Sequence, residues 1–282
     1  SADVYIHPPA IITSPGTYVL QSGLTNYAGP GPAIQILSND VVLDGNGQTL
    51  DGINAPGSQG IVVGFGRQRV HVKDVTVTDF TEGILYFVVS DGLVENCVAQ
   101  NNNYGIAVVF SNNIHVHENQ ANSNAIYGII SLFGTDNIIE ENDASNNLNT
   151  GIYSIYTVRE QIIHNQATGN VFTGIFYRGN DGIIDENDAS GNQLTGIDVR
   201  FSDDTTISNN TVHANYWLTG LNGIHILGSP PLVFDPTGLD IDNNTVDQNG
   251  NGIQLEFRSH DNNVTNNSVF NNHLNGIELK HL

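Results

Sequence analysis

Four charged side chains stand about one repeat apart along the chain: Arg178, then Asp198 with Arg200, then His225. Earlier copies of these positions hold Tyr153, Ile155 and Phe176. An imidazole moves protons near neutral pH and two guanidiniums hold an anion, so the set offers acid–base chemistry beside an anion clamp. A glycosidase needs two carboxyl groups at a defined separation, and Asp198, Asp203 and Asp204 are the nearby candidates. The plainer alternative is that Asp198 pairs with the arginines on a solvated face, where such pairs are common and weak. Insertions at 214–222 and 228–238 flank the His225 segment and would wall a groove around it.

A second set is acidic: Glu95, Glu118 and Glu141, continued by Glu186 with His164 interrupting. Carboxylates stacked about 4.8 Å apart repel, so they are either well solvated or share a cation, for which hard oxygen ligands favour calcium. The ten histidines do not form a single column. Cys97 is the sole cysteine, which excludes an intrachain disulfide and any CxxC motif. Its column otherwise holds Gln, Asp, Thr and Ser, predicting an exposed thiol open to an intermolecular bond.

The elements that must position these groups follow from a repeat. Gly-Ile pairs begin at 60, 83, 105, 128, 151, 174, 196, 223, 252 and 276, mostly 22 or 23 residues apart. Two asparagine columns keep the same step, one at 96, 119, 142, 165, 187, 210, 244 and 267, the other five residues later. Apolar columns accompany them, Leu93 to Val264 three residues before the first asparagine and Val98 to Val269 two after it. Short apolar-alternating runs separated by Asn, Gly and Ser turns read as strands. A coil of this length buries its inward residues only by stacking on its neighbours. The predicted fold is all-β, a parallel β-helix of about 10–11 coils forming one domain over 1–282, with 1–32 as an N-terminal cap. Asparagine tolerates left-handed bends and stacks its amides in ladders, so these columns are scaffold, and the sequons within them are weak signs of glycosylation.

Composition narrows the function. Acidic residues number 29 against 8 basic, a net charge of −21, which argues against a nucleic-acid partner. No apolar run approaches a membrane span. The chain begins at Ser1 and contains no methionine, as expected of a processed, secreted protein or a trimmed one.

The repeat, with VVLDGNGQTLDG at 41–52 and SPGTYVL at 14–20, resembles the right-handed parallel β-helix superfamily of carbohydrate-binding and sugar-hydrolase repeats. It is similar to the periplasmic copper-processing protein of nitrous-oxide reductase maturation and to archaeal surface β-helices. With no methionine and one cysteine, the copper role does not carry over from the composition. In polysaccharide lyases and uronate epimerases of similar fold the substrate groove lies on the face of the charged set. That resemblance implies His225 as the base beside a carboxylate, Arg178 and Arg200 as its neutralising cations, and Tyr153, Phe176 or Trp217 as sugar-stacking rings. The Asp-Pro-His-Asp signature of alginate epimerases is missing, and Asp203-Asp204 lacks the flanking Gly and Cys of polygalacturonases.

The same face is apolar in its first six coils. Its outward columns read Val62, Leu85, Ala107, Ile130, Tyr153, Phe176 and Gly64, Phe87, Val109, Leu132, Ile155, then turn polar. Six coils make a strip about 25 Å long, more apolar surface than soluble monomers usually expose. Two covers are open: residues 1–32 folding back, or another chain on Leu85, Phe87, Val109, Ile130, Leu132 and Ile155. The last residues, GIELKHL, stop within a strand, an edge suited to head-to-tail stacking. The leading expectation is therefore an extracellular or cell-surface protein that self-associates into a filament, sheath or layer. A carbohydrate-active enzyme, of lyase, epimerase or glycoside hydrolase type, and a noncatalytic glycan-binding adhesin are the alternatives.

Overall fold

The computed structural model describes residues 2–215, 221–228, 237–256 and 261–280. Every paired strand is parallel, and the chain winds through two long sheets of twelve strands and two short ones of three. The first long sheet runs from Val4–Ile6 to Asn263–Thr265, the second from Ala10–Ile12 to Ile277–Lys280. The architecture is the all-β solenoid of about 11 turns that the repeat demands.

The Gly-Ile marker has a steric basis. The isoleucines at 84, 106, 129, 152, 175, 197, 224 and 253 are all wholly buried in one stack. Just before them the coil turns so tightly that a Cβ on Gly105 would stand 2.6 Å from the Gly128 carbonyl and 2.8 Å from Asn124 Nδ2. Only glycine lets successive coils approach this closely.

In two ladders an asparagine donates from Nδ2 to the Oδ1 of the next coil's asparagine, which also accepts the first residue's backbone N–H. One ladder runs Asn119, Asn142, Asn165, Asn187, Asn210, Asn244 and Asn267 at 2.9–3.0 Å. The other runs from Asn124 to Asn272 at 3.0–3.3 Å. The sequence frame slips at the first rung. Cys97 N–H, not that of Asn96, bonds Asn119 Oδ1 at 2.9 Å, and Asn102, not Asn101, bonds Asn124. Val94 pairs with Val116, and Ala99 takes the place expected of Val98. Coil steps of 22 and 23 both occur, so matching residue types chose the wrong neighbour.

This slip also overturns the expected exposed thiol. Cys97 is 1 % exposed in the core, its Sγ–H donates to the Glu95 carbonyl, and burial pushes the thiol up to about 12. An intermolecular bond through it is ruled out in the folded state.

Residues 2–32 do not fold over the apolar strip. Ala10–Ile12 pairs with Ile34–Ile36 and Val4–Ile6 with Gly16–Leu20, so the segment continues the stack as its first strands.

Candidate functional site

The outward residues of the second long sheet form a trough. Val62, Leu85, Ala107 and Ile130 are in register, as the repeat predicts, but each is only 4–8 % exposed. They turn outward and are sunk between taller neighbours, half-buried Tyr127 on one bank and Val109 and Leu132 on the other, while Tyr153, paired with Ile130, continues their column on the next coil. Ile155 continues this second bank, paired with Leu132. A cavity of about 510 Å³ opens over this floor.

Aromatic rings stack in two rows along the trough, the first crossing from the bank at Tyr104 and Tyr127 to the floor column at Tyr153 and Phe176. Tyr104, Tyr127, Tyr153 and Phe176 stand on successive coils with centroids 5.9, 4.4 and 4.9 Å apart. Both faces of Tyr153 are used by its neighbours. Phe176 is covered by Tyr153 on one face, and the Arg200 guanidinium lies 5.3 Å from its centroid. These rings therefore present edges, not faces, to anything in the trough. The far row, Phe65, Phe87, Phe110, Phe133 and Tyr156, is exposed, and of it the sequence reading took only Phe87. The signal that could have found it is an aromatic every 23 residues at 110, 133 and 156.

At the polar end the expected foursome divides. Asp198, wholly inside the face at 3 % exposed, accepts a 3.0 Å bond from His225 Nδ1 of the next coil. Arg200 grips the same carboxylate through Nε and a 2.6 Å bond from its terminal nitrogen. Burial alone would raise the Asp198 pKa, but the hydrogen bonds from His225 and Arg200 outweigh it and hold the carboxyl below its usual range. The same bond raises Arg200. Because Asp198 stays ionised it has no proton to donate, so the Nδ1 hydrogen belongs to His225 and the lone pair of the neutral ring is at Nε2. Nε2 faces Glu256, 3.7 Å away, an acid that the sequence reading left out. Glu256 is in turn paired with Lys280 at 3.1 Å.

Arg178 goes elsewhere. A bulge between Ile155 and Thr157 leaves Tyr156 without a ring partner on the following coil. The Arg178 guanidinium fills that gap, 4.6 Å from the Tyr156 centroid and 4.7 Å from Phe201. Among the described residues it has no carboxylate ion pair. It lines a cavity of about 330 Å³ with Asn180 and Asp203. Asp203 accepts the Thr237 N–H, and Asp204 occupies an exposed left-handed turn. Trp217 and most of both insertions lie outside the described residues.

The glutamates also divide. Glu118 and Glu141 stand at equivalent left-handed corners, with φ of 52° and 55°. Glu95 belongs to the adjacent column, opposite His117, and pairs with His71 at 2.9 Å. The donors that converge on this side include histidine: His117 with Glu118 and Glu141, and His115 with His117 and Glu140, each group within 4.8 Å.

The right-handed β-helix family model matches residues 151–281, and that of the periplasmic copper-binding protein NosD matches 33–182. Among curated proteins no sequence matches the chain. Of solved structures, the Dettilon tailspike protein is similar at TM-score 0.78 and 18 % identity over 98 % of this chain. The chain spans 61 % of that tailspike's length. The A-module of the Azotobacter vinelandii mannuronan C-5 epimerase AlgE6 gives 0.76 and 15 % over the whole chain and 87 % of the module. The periplasmic alginate epimerase AlgG gives 0.60 and 17 % over 95 % of this chain and 69 % of its own. At such identities these likenesses speak for the fold. The NosD match alone spans more than half of the sequence, and the chain belongs to the right-handed parallel β-helix repeat family related to NosD.

Proposed function

We propose that this chain is a carbohydrate-active β-helix working outside the cytoplasm, which holds an acidic polysaccharide along the trough and moves a proton at His225. One observation carries the reading: the buried Asp198 carboxylate binds His225 on one side and Arg200 on the other, where an aromatic-lined trough ends. An imidazole oriented by an ionised carboxylate, with Nε2 as its lone pair, is the arrangement of a general base. Arg200, beside Asp198 at the end of the trough, supplies the positive charge that a uronate carboxylate needs as its neighbouring carbon loses a proton. Tyr153 and Phe176 contribute ring edges and shape. Tailspikes and alginate epimerases of this fold, and a periplasmic relative in NosD, support a glycan partner and an extracytoplasmic location.

Incubating the protein with polymannuronate, polyguluronate and polygalacturonate, followed by proton NMR and the ultraviolet absorbance of unsaturated ends, tests this. One polymer is altered by the native protein and none by His225→Gln, which keeps a polar group of similar size. Binding without turnover would reduce the protein to an adhesin, and no binding to any of the three would end the reading.

The exposed row of Phe87, Phe110, Phe133 and Tyr156 beside the trough favours a second reading, self-association into a surface assembly. It predicts particles larger than a monomer in light scattering, dissolved by the double change Phe110→Asp and Phe133→Asp with the coils still folded.

NosD is a copper-binding protein by name. A soft-sulfur copper site does not fit this chain, which has no methionine and whose one thiol is sealed in the core. The paired histidines of the first long sheet fit a divalent ion better.

A further inference from the structure

We propose that His115, His117 and Glu140 bind a divalent transition-metal ion on the outer face of the first long sheet, at a site separate from the trough. The sequence His-Val-His lies on the strand Asn112–His117, where alternate residues share a face, so both imidazoles point the same way. Glu140, on the neighbouring strand Ile138–Glu140, is paired directly with His117. Strand register thus delivers three ligand atoms from two coils.

The distances suit an ion. Glu140 Oε2 lies 2.9 Å from His115 Nε2 and 3.8 Å from His117 Nδ1. Ligand atoms about 2.1 Å from a tetrahedral zinc stand about 3.4 Å apart, between these two values. His117 Nδ1 is itself buried and has no hydrogen-bond partner, an omission that proteins seldom tolerate without a ligand to meet it. Among the described residues no lysine or arginine pairs with this carboxylate, and Lys73 on the same sheet is engaged by Asp44 and Asp74. Glu95, Glu118 and Glu141 surround the group and make the local field attractive to a cation. Two imidazoles and one carboxylate select zinc, copper(II) or nickel over calcium, which takes six to eight oxygens.

Titration of the full chain with Zn2+, by calorimetry after chelator treatment and dialysis, tests the site. One equivalent binds saturably, and an excess of Ca2+ does not displace it. His115→Ala and Glu140→Gln each weaken it at least about tenfold, since losing even an outer-shell partner costs that much. His213→Ala, which removes a histidine–carboxylate pair on another face, leaves affinity unchanged. Cu2+ bound at one equivalent shows two nitrogen ligands in its EPR spectrum, and one after His115→Ala. Circular dichroism melts establish that each variant is folded. Absence of saturable Zn2+ binding, equal affinity in His115→Ala, or displacement by Ca2+ would overturn the proposal.

Discussion

His225 reaches across to the preceding coil and bonds the buried Asp198 carboxylate at 3.0 Å, with the two residues directly paired in the sheet. Parallel register puts the two side chains side by side, and the coil spacing sets their separation. Their contact is therefore as rigid as the solenoid itself, which is what an oriented base requires.

The ionised state of Asp198 contributes stability with a definite pH dependence. Its folded pKa is depressed, so the contribution is present above the unfolded value near 3.8 and is lost as pH falls through the folded pKa. Asp198→Asn should cost about 2 kcal/mol at pH 7, a figure kept modest because Arg200 is half exposed. Urea melts over a pH series should show the gap to the native protein closing in acid.

Glu160 should behave in the opposite sense. It is wholly buried, accepts a 2.7 Å bond from Ser154 and leaves Oε1 without a partner. Burial raises its pKa, so its contribution to stability is full below the unfolded pKa and declines as pH rises through the folded one. Glu160→Gln should match the native protein in acid and become progressively more stable relative to it toward alkaline pH. Parallel stability curves for the two would contradict this.

The ladder frame is open to direct comparison. Asn165→Ala removes bonds to Asn187, Ile139 and Ile163 and strands the buried Asn142 amide, for an expected loss of about 3 kcal/mol. Asn101→Ala loses only an exposed contact and a favourable left-handed residue, at about 1 kcal/mol. Equal losses in denaturant melts would restore the frame in which Asn101 is a rung.

The Cys97 thiol should resist thiol-disulfide reagents in the native state and react in full once unfolded. Native reactivity within minutes would show that the core around it opens.

Much of the molecule was legible as a repeat. The Gly-Ile pairs, the asparagine columns and the pairing of Asp198 with His225 all follow from spacing, because in a solenoid residues one period apart become lateral neighbours. The slip at Cys97 has the same source: periods of 22 and 23 coexist, and only backbone hydrogen bonds decide which residue is the rung. The departure of Arg178 from the charged set was not legible, since it depends on the bulge at Tyr156 that shifts register by one residue.

By itself, then, the sequence determined the coil, its ladders, its apolar core and the columns in which charged residues stand, because these depend on identity and period alone. Tertiary structure decided how deep each column lies and which side chains touch. The floor of the trough is sunk rather than exposed because aromatic rows rise beside it, and His115, His117 and Glu140 meet because two adjacent strands bring them together. Burial and contact depend on the height of neighbouring columns and on local register, which a one-dimensional period does not encode.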